Sequence, residues 1–348
     1  MSLKEPLIHF WLPSEIWPSS FPESAEKFMS RKGYDSWIVQ TYLRLKESGF
    51  NCEKVSRIPE EGIVVTYREF LPYEYRPNTQ QHHISVKADK NPHPYAQIQI
   101  THNYSESKRP NLQIYCVNPE EYYLLWGPRY YIPHWPQPGL IPRNLERGNR
   151  IQNVAYYGIS FNLAPELKTP EWRDFLHSLG LNWIVEQRRN YWHNYDDIDV
   201  VVAARDFTNQ SGYPWKPASK LFNSWRAGVP AVLGAESAFQ SIRKNELDFL
   251  EIRSYEDAKQ SLLRLRDEPG LYGNMRENSF ERASEVSIDR VVKQWTTFLL
   301  DTAVPMYEDW KSKSSLERRL YFLGRASAQK ASRLQRYILK RTESRKFA

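Results

Sequence analysis

The sequence predicts an α/β protein built from two parallel-sheet domains, and three observations lead to this prediction. The chain has 348 residues, which is more than one core usually supports and enough for two. Short apolar segments alternate with helical or loop segments along most of its length, as in sheets whose parallel strands are joined by crossovers. Residues 131–150 contain four prolines and two glycines, a composition typical of a connection between domains.

The predicted elements divide the chain into four parts. We expect a first domain over residues 1–140, a linker over 141–152, a second domain over 153–310 and a basic helical tail over 311–348. In the first domain we predict strands at 6–13, 52–55, 62–66, 84–87, 97–101 and 112–117, and a helix at 36–48. In the second we predict strands at 153–158, 182–185, 199–204, 231–233 and 249–252, and helices at 170–179, 220–226, 236–243, 255–266, 271–285 and 287–300.

The positive charge is concentrated in the tail. The whole chain carries +7, but residues 311–348 carry +10, from twelve Lys and Arg against Glu317 and Glu343, which leaves −3 for residues 1–310. The body is therefore not predicted to bind nucleic acid. Apolar residues of the tail share one helical stripe, which either contacts an anionic membrane or packs on the body; they are Leu316, Leu320, Leu323, Ala331, Leu334 and Ile338.

Cysteine content and hydropathy indicate a cytoplasmic protein. The two cysteines, Cys52 and Cys116, are too few for a disulfide framework. No stretch reaches about 18 apolar residues, and the first residues do not resemble a signal peptide, so we expect a soluble protein or one peripheral on the inner face of the membrane. The sequence also lacks the Gly-x-Gly-x-x-Gly of dinucleotide-dependent dehydrogenases and the phosphate loop of NTPases.

The most informative segment is 216–242, KPASKLFNSWRAGVPAVLGAESAFQSI. Gly228 and Pro230 end a helix and introduce a short apolar strand, which a second loop and helix follow. Both helix N-termini then open at the same edge of the sheet, where backbone N–H groups favour an anion. Lys216 and Lys220 add positive charge beside them, and the pattern predicts a diphosphate site.

The stretch KPASKLFNSWRAGVPAVLG resembles the donor-binding segment of GT-B glycosyltransferases, in which a Lys-Leu-Pro-x-Lys-Leu loop and helix lead to Ala-Gly-x-Pro before a strand. The resemblance implies two Rossmann-like domains that face a cleft. It also implies transfer of a sugar from a nucleoside diphosphate sugar to a hydroxyl acceptor, either a saccharide or a lipid-linked molecule, with no cofactor and no obligatory metal. In the resembled family Gly158 lets the backbone approach the diphosphate, while Lys216 and Lys220 bind it.

Other predicted donor contacts each have a structural alternative. Arg205 follows the most apolar strand and either binds phosphate or pairs with a neighbouring carboxylate. Asn223 replaces a Glu that many GT-B relatives use for the donor ribose. Glu236 and Ser237 contact the donor sugar or ribose, cap a helix, or do both. We interpret Asp197-x-Asp199 as turn and strand residues and not as a metal site.

Candidates for acceptor chemistry lie in the first domain. ADKNPHPYAQIQITHN resembles a segment of bacterial glycosyltransferase-like proteins with Ala-Asp, a Pro-rich turn and a Gln-x-x-x-x-x-Asn pair. Asp89 is the first candidate for a general base and His93 the second, although Asp89 also suits a turn cap and His93 a surface loop. Residues of the connection either touch ligand or pack the domains together: His134, Trp135, Gln137 and Arg143.

Two other functions remain open from the sequence. The chain could be a non-catalytic nucleotide- or saccharide-binding protein on the same fold, which the replacement at Asn223 favours. It could instead be an interaction protein that acts through its basic tail.

Overall fold

The protein folds into two parallel sheets covered by helices. The computed structural model describes residues 6–30, 32–78, 80–87, 90, 93–101, 112–115, 129–207, 213, 216–324, 327 and 334. Within these ranges twelve strands form one sheet of seven and one of five, and every strand pair is parallel. The predicted fold class, α/β with two Rossmann-like domains, is confirmed.

The first sheet has the order β2-β1-β3-β4-β5-β6-β7. Its strands are β1 (Ile8–Trp11), β2 (Cys52–Val55), β3 (Gly62–Tyr67), β4 (Gln81–Val86), β5 (Ile98–Thr101), β6 (Leu112–Tyr115) and β7 (Arg129–Tyr131). The sequence missed β7, and it began β4 three residues late. The start of β4 was missed because Gln81, His82 and His83 are polar, yet they are buried in the centre of the sheet.

The second sheet has the order β12-β11-β10-β8-β9. Its strands are β8 (Asn153–Tyr157), β9 (Asn182–Glu186), β10 (Val200–Ala203), β11 (Ala231–Gly234) and β12 (Leu250–Ile252), which confirms the five predicted. The strand order reverses at β8, which lies between β9 and β10. In open α/β sheets ligands bind at such a reversal, outside the carboxyl ends of the strands. Gly158 follows β8 and Arg205 follows β10, and these two strands border the reversal.

Eight α-helices are present in the described ranges. They are α1 (Gln40–Glu47), α2 (Pro170–Ser178), α3 (Ser219–Ala227), α4 (Ser237–Gln240), α5 (Tyr255–Asp267), α6 (Leu271–Ala283), α7 (Ile288–Phe298) and α8 (Val304–Ser312). A π-helical stretch, Asp35–Val39, leads into α1, and residues 315–324 are also helical. The helix predicted at 236–243 is only the single turn of α4.

The closing helices return to the first domain. Val291, Trp295 and Phe298 of α7 and Tyr307 of α8 belong to the same buried cluster as Ile8 of β1. Residues 288–310, which the sequence assigned to the second domain, therefore pack into the first core. An amphipathic helix shows which face is buried but not which of two cores receives it, so the sequence could not decide this. None of the helices in the described ranges is long and apolar enough to cross a membrane.

A buried ion-pair network joins the linker to the second sheet. Asp199, which is fully buried, pairs with Arg143 at 2.8 Å and with Arg147 at 2.7 Å. The carboxylate also accepts hydrogen bonds from the backbone N–H groups of Gln152 and Asn153, each at 2.8 Å. Arg143 is thus a packing residue, and Asp199 is held by arginines at the amino end of β10.

Candidate functional site

Segment 216–242, for which the sequence predicts a diphosphate site, begins with the predicted helix, glycine break and strand. Helix α3 ends at Gly228, whose φ of 66° lies in the left-handed region that glycine adopts without strain. The N–H of Gly228 caps the helix on the carbonyl oxygens of Ser224 and Trp225. Pro230 then leads directly into β11, all four residues of which are buried. The N-terminus of α3 consequently lies at the carboxyl edge of the second sheet.

Three cations and one carboxylate cluster at this edge. Burial lowers the pKa of Lys220 to about 8, and the neighbouring Arg205 and Lys216 add to the lowering, while Glu236 opposes it. The Lys220 ammonium lies 5.2 Å from the centre of the Tyr156 ring. The cluster carries a net charge of +2, which suits a diphosphate.

Arg205 is ion-paired within the protein. Its Nε lies 3.1 Å from Oε1 of Glu236, and both side chains are largely buried. Glu236 occupies the position before α4, but its side chain does not cap the helix. The other oxygen of Glu236 and the hydroxyl of Ser237 are buried without a hydrogen-bond partner in the described chain. Arg205 therefore pairs with a neighbouring carboxylate, and its contact with phosphate stays a prediction.

Gly158 is required by the backbone where β8 ends. Its φ is 151°, and a Cβ at this position would lie 2.8 Å from the Tyr156 hydroxyl. Its N–H donates to the carbonyl oxygen of Glu186 at the end of β9. The structure thus gives Gly158 a packing reason, while its role in binding diphosphate stays a prediction.

Two cavities lie on either side of the cation cluster. The first, the cleft cavity, has a volume of about 360 Å³ and lies between the domains, with Lys220 and Asn223 in its wall. The second has a volume of about 440 Å³ and lies at the ends of β10, β11 and β12, with Arg205 and Glu236 in its wall. The cluster therefore reaches both cavities.

The cleft cavity is lined from both domains and from the connection between them. Its cationic side chains are Lys32, Arg189 and Lys220, and none of the described residues that line it is an Asp or a Glu. The other lining residues are Ser30, Gly33, Ser36, Gln40, His134, Trp135, Pro136, Gln137, Pro138, Tyr157, Trp192, Tyr195, Ser219 and Asn223. Such a cavity favours an anionic ligand.

Asn223 contacts the interdomain connection. Its Oδ1 accepts a hydrogen bond from the Gln137 N–H at 3.1 Å, and its side chain also bonds to Tyr195. Arg226, one turn further along α3, donates to the Gln137 carbonyl oxygen at 3.2 Å. Asn223 and Arg226 thus connect α3 to the chain that crosses between the domains.

The structure describes one of the two predicted general bases. Asp89 falls outside the described residues. His93 is fully buried, and its two ring nitrogens lie 2.9 Å from the Pro72 carbonyl oxygen and 3.3 Å from the Tyr95 N–H. His93 is therefore a packing residue. The sequence around it is polar and did not indicate that the ring would be buried.

His134 is the histidine that the structure brings to the cleft. Its Nδ1 lies 2.9 Å from the Trp135 carbonyl oxygen, which can only accept, so Nδ1 carries the proton. The ring also contacts Trp37 edge to face at 5.1 Å between centres. Trp135, by contrast, is buried and donates to the Thr41 hydroxyl. The alternation of prolines around residue 134 was the signal that this chain segment crosses the cleft.

The described residues contain no metal-binding cluster of three or more His, Cys, Asp or Glu side chains.

Known structures share this two-domain arrangement. A comparison with known protein families finds no match, and no curated protein is similar in sequence. Sucrose-phosphate synthase from Thermosynechococcus elongatus superposes with a TM-score of 0.50 at 10% identity, over 86% of this chain and 100% of that chain. The lipopolysaccharide outer core galactosyltransferase WaaB matches with a TM-score of 0.47 at 10% identity, over 85% of this chain and 99% of its own. HepE of Anabaena, solved with UDP and glucose, matches with a TM-score of 0.45 at 9% identity, over 84% and 99% of the two chains.

The chain therefore has the GT-B fold, in which two Rossmann-like domains face a cleft. This conclusion concerns the fold, since identities of this size leave the activity to be argued from the site itself.

Proposed function

We propose that this protein transfers a sugar from a nucleoside diphosphate sugar to a hydroxyl of a saccharide or lipid-linked acceptor. One observation carries the proposal: Lys220, Lys216 and Arg205 cluster at the carboxyl edge of the second sheet, beside the cavity between the domains. The GT-B fold supports it, because this edge faces the cleft.

The cations supply the main catalytic stabilisation in this mechanism. When the bond between the sugar and the diphosphate breaks, negative charge develops on the leaving diphosphate. Lys220, Lys216 and Arg205 neutralise that charge from fixed positions, which is usually the largest single contribution to catalysis. In this proposal no divalent metal is obligatory, because these protein cations would neutralise the charge on the leaving diphosphate.

His134 is the general-base candidate that the described cleft wall offers. With the proton on Nδ1, the lone pair of a neutral imidazole lies on Nε2. That atom would accept the proton of the acceptor hydroxyl as its oxygen bonds to the sugar carbon. Asp89 remains the sequence-based alternative, and comparing His134→Gln with Asp89→Asn in a turnover assay separates the two.

Ligand binding and turnover test the proposal. We would measure thermal stabilisation by UDP, ADP, GDP and their sugars, with and without magnesium, and then release of free sugar from the donor that binds. Lys220→Ala should lower turnover by about 100-fold or more. The exposed Lys168→Ala, which lies outside both cavities, should leave turnover unchanged. Full turnover in Lys220→Ala would refute the assignment, and binding without turnover would favour a non-catalytic binding protein.

We further propose that the tail places the enzyme on an anionic membrane. In helix 315–324, Leu316, Leu320 and Leu323 are 64%, 57% and 63% exposed, so this part of the apolar stripe does not pack on the body. Residues 311–348 carry +10, and each basic residue near an anionic surface adds about 1 kcal/mol of attraction.

Vesicle sedimentation tests the membrane proposal. Phosphatidylglycerol vesicles should retain the protein, whereas phosphatidylcholine vesicles should not. Replacing Leu320 and Leu323 with Ser should release it, while Leu145→Ser, at a leucine 69% exposed on the linker, should not. Equal retention by both vesicle types would contradict the proposal.

A further inference from the structure

The first domain contributes one wall of the cleft cavity. The polar groups on this wall do not contact the donor diphosphate in the proposed function. The wall consists of Ser30, Lys32, Gly33, Ser36 and Gln40, which lie around the start of the helical run that continues to the end of α1. The diphosphate site lies in the second domain, on the opposite side of this cavity. The first-domain wall is therefore free to bind another part of the substrates.

A tight turn holds this wall in place. The Lys32 N–H donates to the Asp35 carboxylate at 2.9 Å, and the Asp35 N–H donates back to the Lys32 carbonyl oxygen at 3.1 Å. Gly33 packs so closely that a Cβ there would lie 2.5 Å from the Tyr67 hydroxyl. The position of Lys32 at the mouth of the cavity is thus set by the backbone.

The groups on this wall suit an anion. The helical run begins at residue 33, and Gly33 and Ser36 of its first turn line the cavity, where the helix dipole favours negative charge. Ser30 also lines the cavity, and its hydroxyl is buried without a hydrogen-bond partner within the described chain. An ammonium group, a helix N-terminus and a hydroxyl without a hydrogen-bond partner can together bind a phosphate or a carboxylate group.

The second domain adds a cation that is separate from the diphosphate cluster. Arg189 lies just after β9, at the edge of the sheet. Arg205 and Lys220 come after β10 in the chain, and β10 lies on the other side of β8. Its guanidinium lies 5.7 Å from the Trp192 ring, and both side chains line the cavity. Lys32 and Arg189 therefore approach the same cavity from different domains.

We infer that the cleft holds a second anionic group besides the donor diphosphate, bound by Lys32, Arg189 and the Ser30 hydroxyl, and that the sugar or acceptor in the cleft carries a phosphate or a carboxylate. The inference rests on the proposed function for its distinction between donor and acceptor. A neutral glycan would supply no negative charge to Lys32, which lies in the wall of a cavity that has no carboxylate among its described lining residues. The volume of about 360 Å³ is at the small end of ligand pockets and fits a single sugar unit with one charged substituent.

Calorimetry with simple probes tests the inference on the full-length protein. Inorganic pyrophosphate occupies the diphosphate subsite, and glucose 6-phosphate, galacturonate and glucose are then titrated in turn. At least one of the two charged sugars should bind about tenfold or more tightly than glucose, since hydrogen bonds to a charged group are stronger than neutral ones. The tighter of the two identifies phosphate or carboxylate as the favoured group.

Matched variants locate the site. Lys32→Ala and Arg189→Ala should each weaken charged-sugar binding about tenfold while changing pyrophosphate affinity less than twofold. Lys27→Ala and Arg188→Ala should change neither, because both side chains are exposed, pair with Glu23 and Glu186, and lie outside the cavity.

Three outcomes overturn the inference. Glucose could bind as tightly as the charged sugars, pyrophosphate could displace the charged sugar from a single shared site, or Lys32→Ala could weaken pyrophosphate as much as the charged sugar. Failure of the proposed function gives a different result. Wild-type protein would then bind no pyrophosphate, yet it would still bind the charged sugar in a way that depends on Lys32.

Discussion

The lowered pKa of Lys220 predicts how binding of a nucleoside diphosphate depends on pH. Its pKa in the free protein is about 8, because burial and the nearby Arg205 and Lys216 disfavour the charged form. A bound diphosphate brings negative charge beside the amine and raises its pKa again. Binding therefore takes up a proton above pH 8, and affinity should fall as pH rises through this value.

The size of the effect follows from the protonated fraction of Lys220. With a pKa of about 8, about nine tenths of the amine is charged at pH 7 and about one tenth at pH 9, so the Kd should rise about tenfold between them. Burial raises the pKa of the neighbouring Tyr156 to about 12, which is above this window, and the second pKa of the ligand phosphate lies near 6, which is below it.

Calorimetry at pH 7, 8 and 9 with the best-binding nucleoside diphosphate measures this dependence. Lys220→Arg is the control, because a guanidinium stays charged throughout and should give a Kd that is nearly constant. A wild-type Kd that does not change from pH 7 to 9, or a Lys220→Arg Kd that rises as steeply as the wild type, would refute the reasoning.

Three further predictions concern stability. Asp199→Asn leaves the buried Arg143 and the partly exposed Arg147 without their counter-charge and should lower the free energy of unfolding by about 3–5 kcal/mol in urea titrations; a loss below about 1 kcal/mol would contradict the network. Gly158→Ala should cost about 1–3 kcal/mol from backbone strain and the approach to the Tyr156 hydroxyl, and an unchanged urea midpoint would show that the segment relaxes. Burial lowers the pKa of His83 from 6.5 to about 3, so acid should destabilise the fold by up to about 5 kcal/mol as pH falls from 6.5 to 3. His83→Gln, which stays neutral, should lose less stability over this range, and an identical loss would place the acid sensitivity elsewhere.

The sign of the His83 effect follows from its protonation. The unfolded chain binds a proton at His83 below pH 6.5, while the folded protein binds it only near pH 3. The stability contributed by the neutral ring is therefore complete above pH 6.5 and is lost on acidification.

The Asp199 prediction has a related electrostatic basis. Burial by itself raises the pKa of Asp199, but hydrogen bonds from Arg147, from the N–H groups of Asn153 and Gln152, and from Arg143 outweigh it and hold the pKa below its usual range. The carboxylate therefore stays charged inside the protein, and the asparagine replacement removes a full charge from between two arginines.

Much of the second domain was predictable from the sequence because its signals are local. Gly228 ends α3 through its own φ, Pro230 cannot continue a helix, and the apolar residues of β10 and β11 are buried on both faces. Each of these properties depends on one residue or on its immediate neighbours. The sequence therefore determined the α/β class, the five strands of the second sheet and the placement of Lys220 at its carboxyl edge.

Partners and neighbours that are distant in sequence needed the tertiary structure. Arg205 pairs with Glu236 across 31 residues only because β10 and β11 are adjacent, and Asn223 meets Gln137 only because the connection crosses beside α3. The same is true of α7, whose apolar face packs into the first core.

Burial was the other property that only the tertiary structure decided. His93 has the polarity of a catalytic candidate, but the loops around it cover the ring and engage both nitrogens. His134, in a proline-rich segment with no strand or helix signal, is brought to the cleft instead. The sequence by itself determined which residues have reactive side chains, while the fold decided which of them reach the cleft, because exposure depends on packing between segments far apart in the chain.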